Sequence, residues 1–546
     1  MRATFQPSRQ SARVSNKRPC LGPLSSQGEG VGGEVASRFV LLLFSLVTLV
    51  AVACSGDKPA PTPTATASLP PTAAPSPTST PAPTPPPAAI AWKPCDAYEC
   101  AEFDVPLDYA NPARGDLKLA LIRLPARNQA NRIGSLLVNP GGPGGSGIEF
   151  LRNWAFAVPS QIKERFDLVS FDPRGVGESS PILCGENVQD LLALNPDPLT
   201  DAEWQAVVDE TKAFTGLCKQ HAGAALPFYG TENVARDMDR IRQGLGEDKL
   251  TYLGYSYGTS IGQVYADLFP GNVRAMVLDG ALDNSLDADQ RNLDQILAFE
   301  SALNRFIGYC RATACFSVDP QVAIQTLIDR AEASPIPAPG EDRPLSEGEV
   351  LWGLISSLYA RFQWGGLANA ISDALDGDGS RMLRLVDNLW GRNSDGSYDN
   401  FFEANSAVNC IDQRVDRSPD HHRQLSIDFA KQAPIFGAWG GYLNLTCALW
   451  DAEPVPLRTP RAAGAPPILV IGNTGDPATP LKWSTALSKQ LESGILLTND
   501  AEGHTAYLQG DACVEKAVNA YLLDLTVPAV GARCGNAGIQ PVPPLP

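Results

Sequence analysis

Six short apolar runs stand out along the chain, each bounded by turn residues and each the length of a buried strand. They are Ile133–Val138, Phe166–Phe171, Leu250–Leu253, Val273–Leu278, Pro467–Ile471 and Ile495–Leu497. Between them the apolar spacing changes to that of a helix. From Thr231 to Leu245, the residues Val234, Met238, Ile241 and Leu245 share one face, with Thr231 placed to cap the start and Gly246 to end it. From Thr259 to Phe269, Ile261, Val264, Tyr265 and Leu268 recur at the same period. Buried strands alternating with helices predict an α/β fold: a mostly parallel sheet with helices on both faces.

Residues 285–435 break this rhythm. Their pattern is helical (Leu293–Tyr309, Val322–Ala333, Val350–Tyr359, Leu367–Leu375), rich in aromatic residues and interrupted by Gly-Asp-Gly and Asn-Ser-Asp-Gly turns. We expect an inserted, mainly helical cap over the sheet, dividing the core into 90–284 and 436–546.

Phe39 to Ala53 is a fifteen-residue apolar run that ends at Cys54. That is short for a membrane span and suits the core of a signal peptide. Small residues before Cys54, followed by Ser55-Gly56, match a bacterial lipoprotein cleavage site, although Ala51 stands where Leu is usual. Residues 1–54 are therefore expected to be a signal peptide, with Cys54 lipidated; simple secretion or an uncleaved anchor are the alternatives. The long basic stretch ahead of the run fits a start codon placed too far upstream. Residues 55–89, nearly all Pro, Thr, Ala and Ser in their main part, cannot bury a core and read as an extended stalk.

The 546 residues exceed what one small core needs, and the net charge is −17. Residues 1–53 carry six Lys/Arg against two Glu, so the remainder is more acidic still. Such a body argues against nucleic acid as a partner. Apart from Cys20 and Cys54, ten cysteines remain, an even number that implies disulfides in an exported chain. Local pairs are suggested (95–100, 184–218, 310–315, 410–447, 513–534), although ten cysteines allow many connectivities. No Cys-x-x-Cys pattern points to zinc or redox chemistry.

Candidate chemistry sits where strands end. The run Leu250–Leu253 leads into Gly254-Tyr255-Ser256-Tyr257-Gly258 and then the helix at Thr259. Gly-x-Ser-x-Gly between a strand and a helix is the nucleophile elbow of an α/β-hydrolase. A plain glycine-rich turn is the bland alternative. Ile133–Val138 runs into Asn139-Pro-Gly-Gly-Pro-Gly-Gly-Ser-Gly147, where a backbone with few side chains lets an N–H reach a developing oxyanion. Gly142 is the first choice of donor, and the N–H of Tyr257, the residue after the nucleophile, is the second. Arg174, in the loop after Phe166–Phe171, reads as a structural anchor.

Of four histidines, His221 reads as lying in a loop near Cys218, while His421 and His422 sit in a charged cap segment. His504 follows the last strand with Gly503 before it. Asp476, just past the strand at 467–471, is its best partner, although a turn Asp before Pro would satisfy the same motif. The order Ser256, Asp476, His504 is that of α/β-hydrolases. His504 would take the Ser256 proton, Asp476 would hold the imidazole, and water would release the acyl-enzyme. No metal and no organic cofactor is needed.

Asn-Pro-Gly-Gly-Pro-Gly-Gly-Ser-Gly, Asp-Pro-Arg-Gly-Val-Gly-Glu-Ser and Tyr-Leu-Gly-Tyr-Ser-Tyr-Gly-Thr together resemble the secreted bacterial tripeptidyl aminopeptidases. These belong to the prolyl-aminopeptidase branch of α/β-hydrolase serine peptidases. The similarity runs from about Trp92 to Cys534 and includes Val105–Tyr109, Asn409–Asp412, and the late Asp-x-x-Thr-Pro and Gly-His-Thr segments. It implies removal of short peptides or single residues from peptides with free N-termini. Prolyl aminopeptidases usually have His where this chain has Pro140, which sets a strict proline preference aside. Such exopeptidases bind the substrate ammonium with carboxylates, for which Asp412 and Glu403 in the cap are the candidates. The rival readings are a carboxylesterase or lipase of the same fold and a catalytically silent surface lipoprotein.

Overall fold

The computed structural model describes residues 87–185 and 188–535. The signal peptide, Cys54 and most of the stalk expected from the sequence lie outside the described residues. Among the described residues ten strands form one sheet: β1 (Lys93–Cys95), β2 (Tyr98–Pro106), β3 (Asp116–Leu124), β4 (Gly134–Asn139), β5 (Phe166–Phe171), β6 (Leu250–Tyr255), β7 (Val273–Asp279), β8 (Ile468–Gly475), β9 (Gly494–Glu502) and β10 (Arg533–Cys534). Their order is β1-β2-β3-β5-β4-β6-β7-β8-β9-β10. From β5 to β10 all neighbours are parallel, and β1–β3 add an antiparallel edge through β3 against β5. This is the α/β-hydrolase arrangement.

Every residue of β4, β5 and β6 is buried, as strands covered on both faces require. One face packs under the helices Thr231–Gly244 and Gly258–Leu268 through Met238, Tyr252, Ile261 and Tyr265. The other packs against Gly147–Ala157 and Ala512–Asp524 through Leu151, Trp154, Val518 and Tyr521. Strand β4 lies between β5 and β6, so the chain winds outward in both directions from it. In open α/β sheets such a switch point opens a crevice at the carboxyl ends of the strands.

All six strands read from the sequence are present. The edge strands β1–β3 were not anticipated, because β2 and β3 carry Glu and Asp or Lys and Arg among their apolar residues and give no unbroken run. The helix Asp201–Ala222, closed at its start by a Thr200/Glu203 capping box, was also missed. It places His221 on a helix and not in the expected loop. Between β7 and β8 stands a series of helices, from Ala288–Thr313 to Leu445–Ala448. They have their own apolar core around Phe306, Leu327, Leu354 and Ile371. The series extends past residue 435 through Gly437–Tyr442 and Leu445–Ala448.

Among the described residues five disulfides join Cys95–Cys100, Cys184–Cys218, Cys310–Cys315, Cys410–Cys447 and Cys513–Cys534, the local pairs suggested by the sequence. Asp511 lies beside Cys513 and Cys534, but both thiols are consumed in the disulfide and offer no metal ligand. Arg174 is fully buried, paired with Asp237 at 2.6 Å and donating to the carbonyls of Pro106, Leu107 and Phe228. It is an anchor for its loop. Among the described residues no helix is long and apolar enough to cross a membrane.

Candidate active site

Strand β6 turns into the helix Gly258–Leu268 through Ser256, whose φ is +52°. A serine adopts this left-handed conformation only when its surroundings impose it. Here the Ser256 N–H donates to the Asp279 carbonyl at 2.9 Å, and Thr259 Oγ1 donates to the Ser256 carbonyl at 2.6 Å. The turn also needs glycine beside it, since a Cβ on Gly254 would stand 2.4 Å from the Gly258 carbonyl oxygen.

The loop after β4 packs directly on this turn. A Cβ on Gly141, where φ is +102°, would lie 2.8 Å from Ser256 Cβ and 3.1 Å from Tyr257 N. The Gly141 N–H is already engaged, donating to Asn139 Oδ1 at 3.0 Å. Gly142 lines the cavity that contains Ser256. The Tyr257 phenol is hydrogen-bonded to Thr231 Oγ1 at 2.6 Å, which fixes the N-cap residue of the helix behind the turn.

His504 sits just past β9, and its Nδ1 is 3.0 Å from both carboxylate oxygens of Asp476. Asp476 is held in turn by the N–H groups of Ala478 and Thr479 and by Thr479 Oγ1, at 2.8–3.0 Å. Thr479 Oγ1 also lies 3.2 Å from His504 Nδ1. Three separate elements brace the histidine loop. Asn473 on β8 donates to the carbonyls of Gly503 and Thr505, and Asp279 on β7 accepts from the N–H groups of Ala506 and Tyr507. Tyr359, next to the helix Glu347–Leu358, accepts from the His504 N–H at 2.7 Å.

Burial opposes a charged imidazole at His504, but the charge and hydrogen bond of Asp476 more than offset this and raise its pKa above the ordinary histidine value. Burial likewise pushes the Asp279 carboxyl up to about 6. His504 Nε2 is buried and has no hydrogen-bond partner among the described residues. Ser256 and His504 line one cavity of about 600 Å3, together with Trp352, Tyr359, Trp390 and Phe401 from the helical insertion. An imidazole held at Nδ1 by a carboxylate offers its Nε2 lone pair as a base to a neighbouring hydroxyl.

A second, inner cavity of about 290 Å3 adjoins the first, sharing Gly142, Trp352, Ile355, Tyr359, Trp390 and Asn405. No carboxylate lines either cavity among the described residues. The two cap acids expected to hold an ammonium stand elsewhere. The Asp412 carboxylate is buried and accepts from both the N–H and the Oγ of Thr231. Glu403 lies about 200° round the helix Phe401–Asp412 from the cavity-lining Asn405. Burial pushes each carboxyl up to about 7. Sequence reasoning missed Thr479, Tyr359, Asp279 and Asn473. Thr479 lay within the late Asp-x-x-Thr-Pro motif, whereas Tyr359 gives no signal short of the fold.

Two family descriptions match the chain: "alpha/beta hydrolase fold" over residues 134–317 and "TAP-like protein" over residues 433–534. "Serine protease Hip1" of Mycobacterium tuberculosis is 39% identical over 480 residues, covering 82% of this chain and 91% of that protein. The chain belongs to the TAP-like α/β-hydrolase serine peptidase family. Two other members bear different names. "Tripeptidyl aminopeptidase" of Streptomyces lividans is 32% identical and covers 82% of this chain and 87% of its own. "Carboxylesterase B" of M. tuberculosis is 36% identical over 80% of this chain and 86% of its own. Membership makes the chain a serine hydrolase and leaves the leaving group open between amine and alcohol.

Proposed function

We propose that this protein is an exported serine peptidase that releases short peptides from free N-termini through a Ser256–His504–Asp476 acyl-enzyme mechanism. The observation that carries the mechanism is His504, with Nδ1 between both Asp476 oxygens and an unpartnered Nε2 in the same cavity as Ser256. His504 takes the Ser256 proton as Oγ attacks the scissile carbonyl. The N–H groups of Gly142 and Tyr257 receive the oxyanion, and the engagement of the Gly141 N–H by Asn139 favours Gly142 over its neighbour. His504 then protonates the leaving amine, and water, activated by the same imidazole, frees the acyl group.

Export is supported by the apolar run at 39–53, by the five disulfides, which suit an oxidising compartment, and by lipidation chemistry available at Cys54. Residues 90–284 and the chain from β8 onward would form the hydrolase core, with the insertion, which runs past the expected boundary at 435 to Ala448, as its cap. A second reading, carboxylesterase, draws on the relative of that name and on cavities without carboxylates.

The test compares three substrates: an alanyl-alanyl-prolyl anilide with a free amine, its N-acetylated twin, and a short-chain nitrophenyl ester. Cleavage of the free-amine anilide in clear preference to its twin is expected. Ester turnover with neither anilide touched would transfer the assignment to esterase. Ser256→Ala should remove turnover on every substrate and leave the fold unchanged by circular dichroism.

A further inference from the structure

Asn405, Asn409 and Gln413 follow one another at intervals of four along the helix Phe401–Asp412 and its C-terminal cap, and all three line the inner cavity. Their side chains are joined head to tail. Asn405 Nδ2 donates to the Pro143 carbonyl at 2.9 Å, Asn409 Nδ2 to Asn405 Oδ1 at 2.9 Å, and Gln413 Nε2 to Asn409 Oδ1 at 3.3 Å. Each side-chain amide has two N–H groups and an oxygen with two lone pairs, so every rung keeps bonding capacity for a further partner. Gln413 Oε1 is buried with no hydrogen-bond partner among the described residues. Native proteins leave few buried acceptors so, because an unmet one is costly.

The spacing suits a peptide. Steps of four residues at a rise of 1.5 Å put the rungs about 6 Å apart, near the roughly 6.6 Å between alternate residues of an extended chain. The ladder starts at Pro143, beside the proposed oxyanion donor Gly142. From Asn405 to Gln413 it runs about 12 Å, the reach of about three extended residues and their terminal nitrogen. Arg291 also lines this cavity; burial lowers its pKa against the opposing charges of Asp412, Asp283 and Asp287, and its Nε is buried with no hydrogen-bond partner among the described residues.

We infer that the Asn405–Asn409–Gln413 ladder is the track for the peptide backbone on the acyl side of the scissile bond, with Gln413 Oε1 receiving the substrate's terminal ammonium. It rests on the peptidase reading above and adds the residues that set how much of a peptide is released. An ammonium brings the N–H donors that Gln413 Oε1 lacks.

The experiment measures kcat/KM of the full chain on free-amine dipeptidyl, tripeptidyl and tetrapeptidyl anilides sharing their last residue, with nitrophenyl acetate as a reporter of an intact Ser256 site. The unaltered protein should favour the tripeptidyl anilide. Gln413→Leu should lower kcat/KM on it about 10- to 100-fold, the value of one hydrogen bond to a charged group, while the dipeptidyl anilide and the ester stay near their starting values. Gln413→Glu, which keeps an acceptor and adds charge, should restore the tripeptidyl rate. A Gln413→Leu protein with unchanged length preference, or with equal losses on all lengths and the ester, would overturn the ladder and leave the peptidase reading intact. Hydrolysis of the ester alone by the unaltered protein would overturn both.

Discussion

The backbone N–H of His504 donates to the carbonyl oxygen of Tyr359 at 2.7 Å, and the two rings meet edge-on with centroids 5.5 Å apart. The proposed base is therefore set by the helical insertion as well as by the sheet, which holds it through Asn473, Asp476 and Asp279. Tyr359 also lines both cavities. Positioning of the base and shaping of the pocket are consequently one structural feature.

Tyr359→Ala removes the ring while leaving a carbonyl available to His504. We expect a fall in kcat of about tenfold, since small displacements of a catalytic group cost rate steeply, together with a changed KM. Tyr359→Phe should retain the ring contact and stay near the starting kcat. Steady-state kinetics on one anilide checks this, and an unaltered kcat for Tyr359→Ala would remove the ring from any positioning role.

On the proposed mechanism, the pH dependence of turnover follows from His504. The base must be neutral to accept the Ser256 proton, and Asp476 raises its pKa above the ordinary ~6.5 despite burial. Activity should therefore rise with pH along a limb centred above that value. Asp476→Asn removes the charge that holds the limb up, so the limb should move to lower pH while kcat drops by about 10⁴-fold. Thr479→Val removes one hydrogen bond to Asp476 and the contact with Nδ1, for a smaller loss of about tenfold. A pH–rate profile of each variant decides; a limb that stays in place for Asp476→Asn would break the link between the two residues.

What was legible in the sequence is what local patterning dictates. Strands β4 to β8 are buried on both faces or nearly so, β9 is buried at its centre, and they announce themselves as apolar runs. Ser256, Asp476 and His504 follow because each stands where one of those strands ends. β2 stayed hidden because its solvent side carries Glu102 and Asp104 between buried residues. Asp412 and Glu403 show the limit most clearly. The family resemblance, which implies carboxylates for an ammonium, marked them as its ligands, yet Thr231 claims one and helix phase turns the other away. The amides at 405, 409 and 413 were equally visible as an i, i+4 pattern, but only the fold shows them bonded in a row along a cavity.

The disulfide Cys410–Cys447 ties the ladder helix to the short helix Leu445–Ala448, and both cysteines line the inner cavity. Its sequence separation of 37 residues corresponds to about 3–4 kcal/mol of chain entropy removed from the unfolded state. Cys410→Ala/Cys447→Ala should lose stability of this order in urea unfolding and raise KM more than it lowers kcat. Cys513→Ala/Cys534→Ala, whose cysteines line neither cavity, should lose about 3 kcal/mol with KM unchanged. Equal KM effects from the two pairs would argue that the first does not shape the cavity.

Stability should fall as pH rises through the weakly acidic range. Burial pushes the carboxyls of Glu403 and Asp412 up to about 7 and that of Asp279 up to about 6, against about 4 in the unfolded chain. Between these limits the folded protein holds protons that the unfolded chain has released. This contribution is fully present below about pH 4 and is lost by about pH 7. Asp239 and Asp294, held below the usual carboxylate range by their hydrogen-bonded partners despite burial, act in the opposite sense but at lower pH. The thermal midpoint should thus be higher at pH 5.5 than at pH 8. Glu403→Gln keeps the side-chain shape without the charge, so it should raise the midpoint at pH 8 by the equivalent of about 1–3 kcal/mol and leave pH 5.5 nearly unchanged. A midpoint that climbs from pH 5.5 to pH 8, or a Glu403→Gln protein with the parent's slope, would show that this buried acid is ionised in the fold and paired with a group that compensates it.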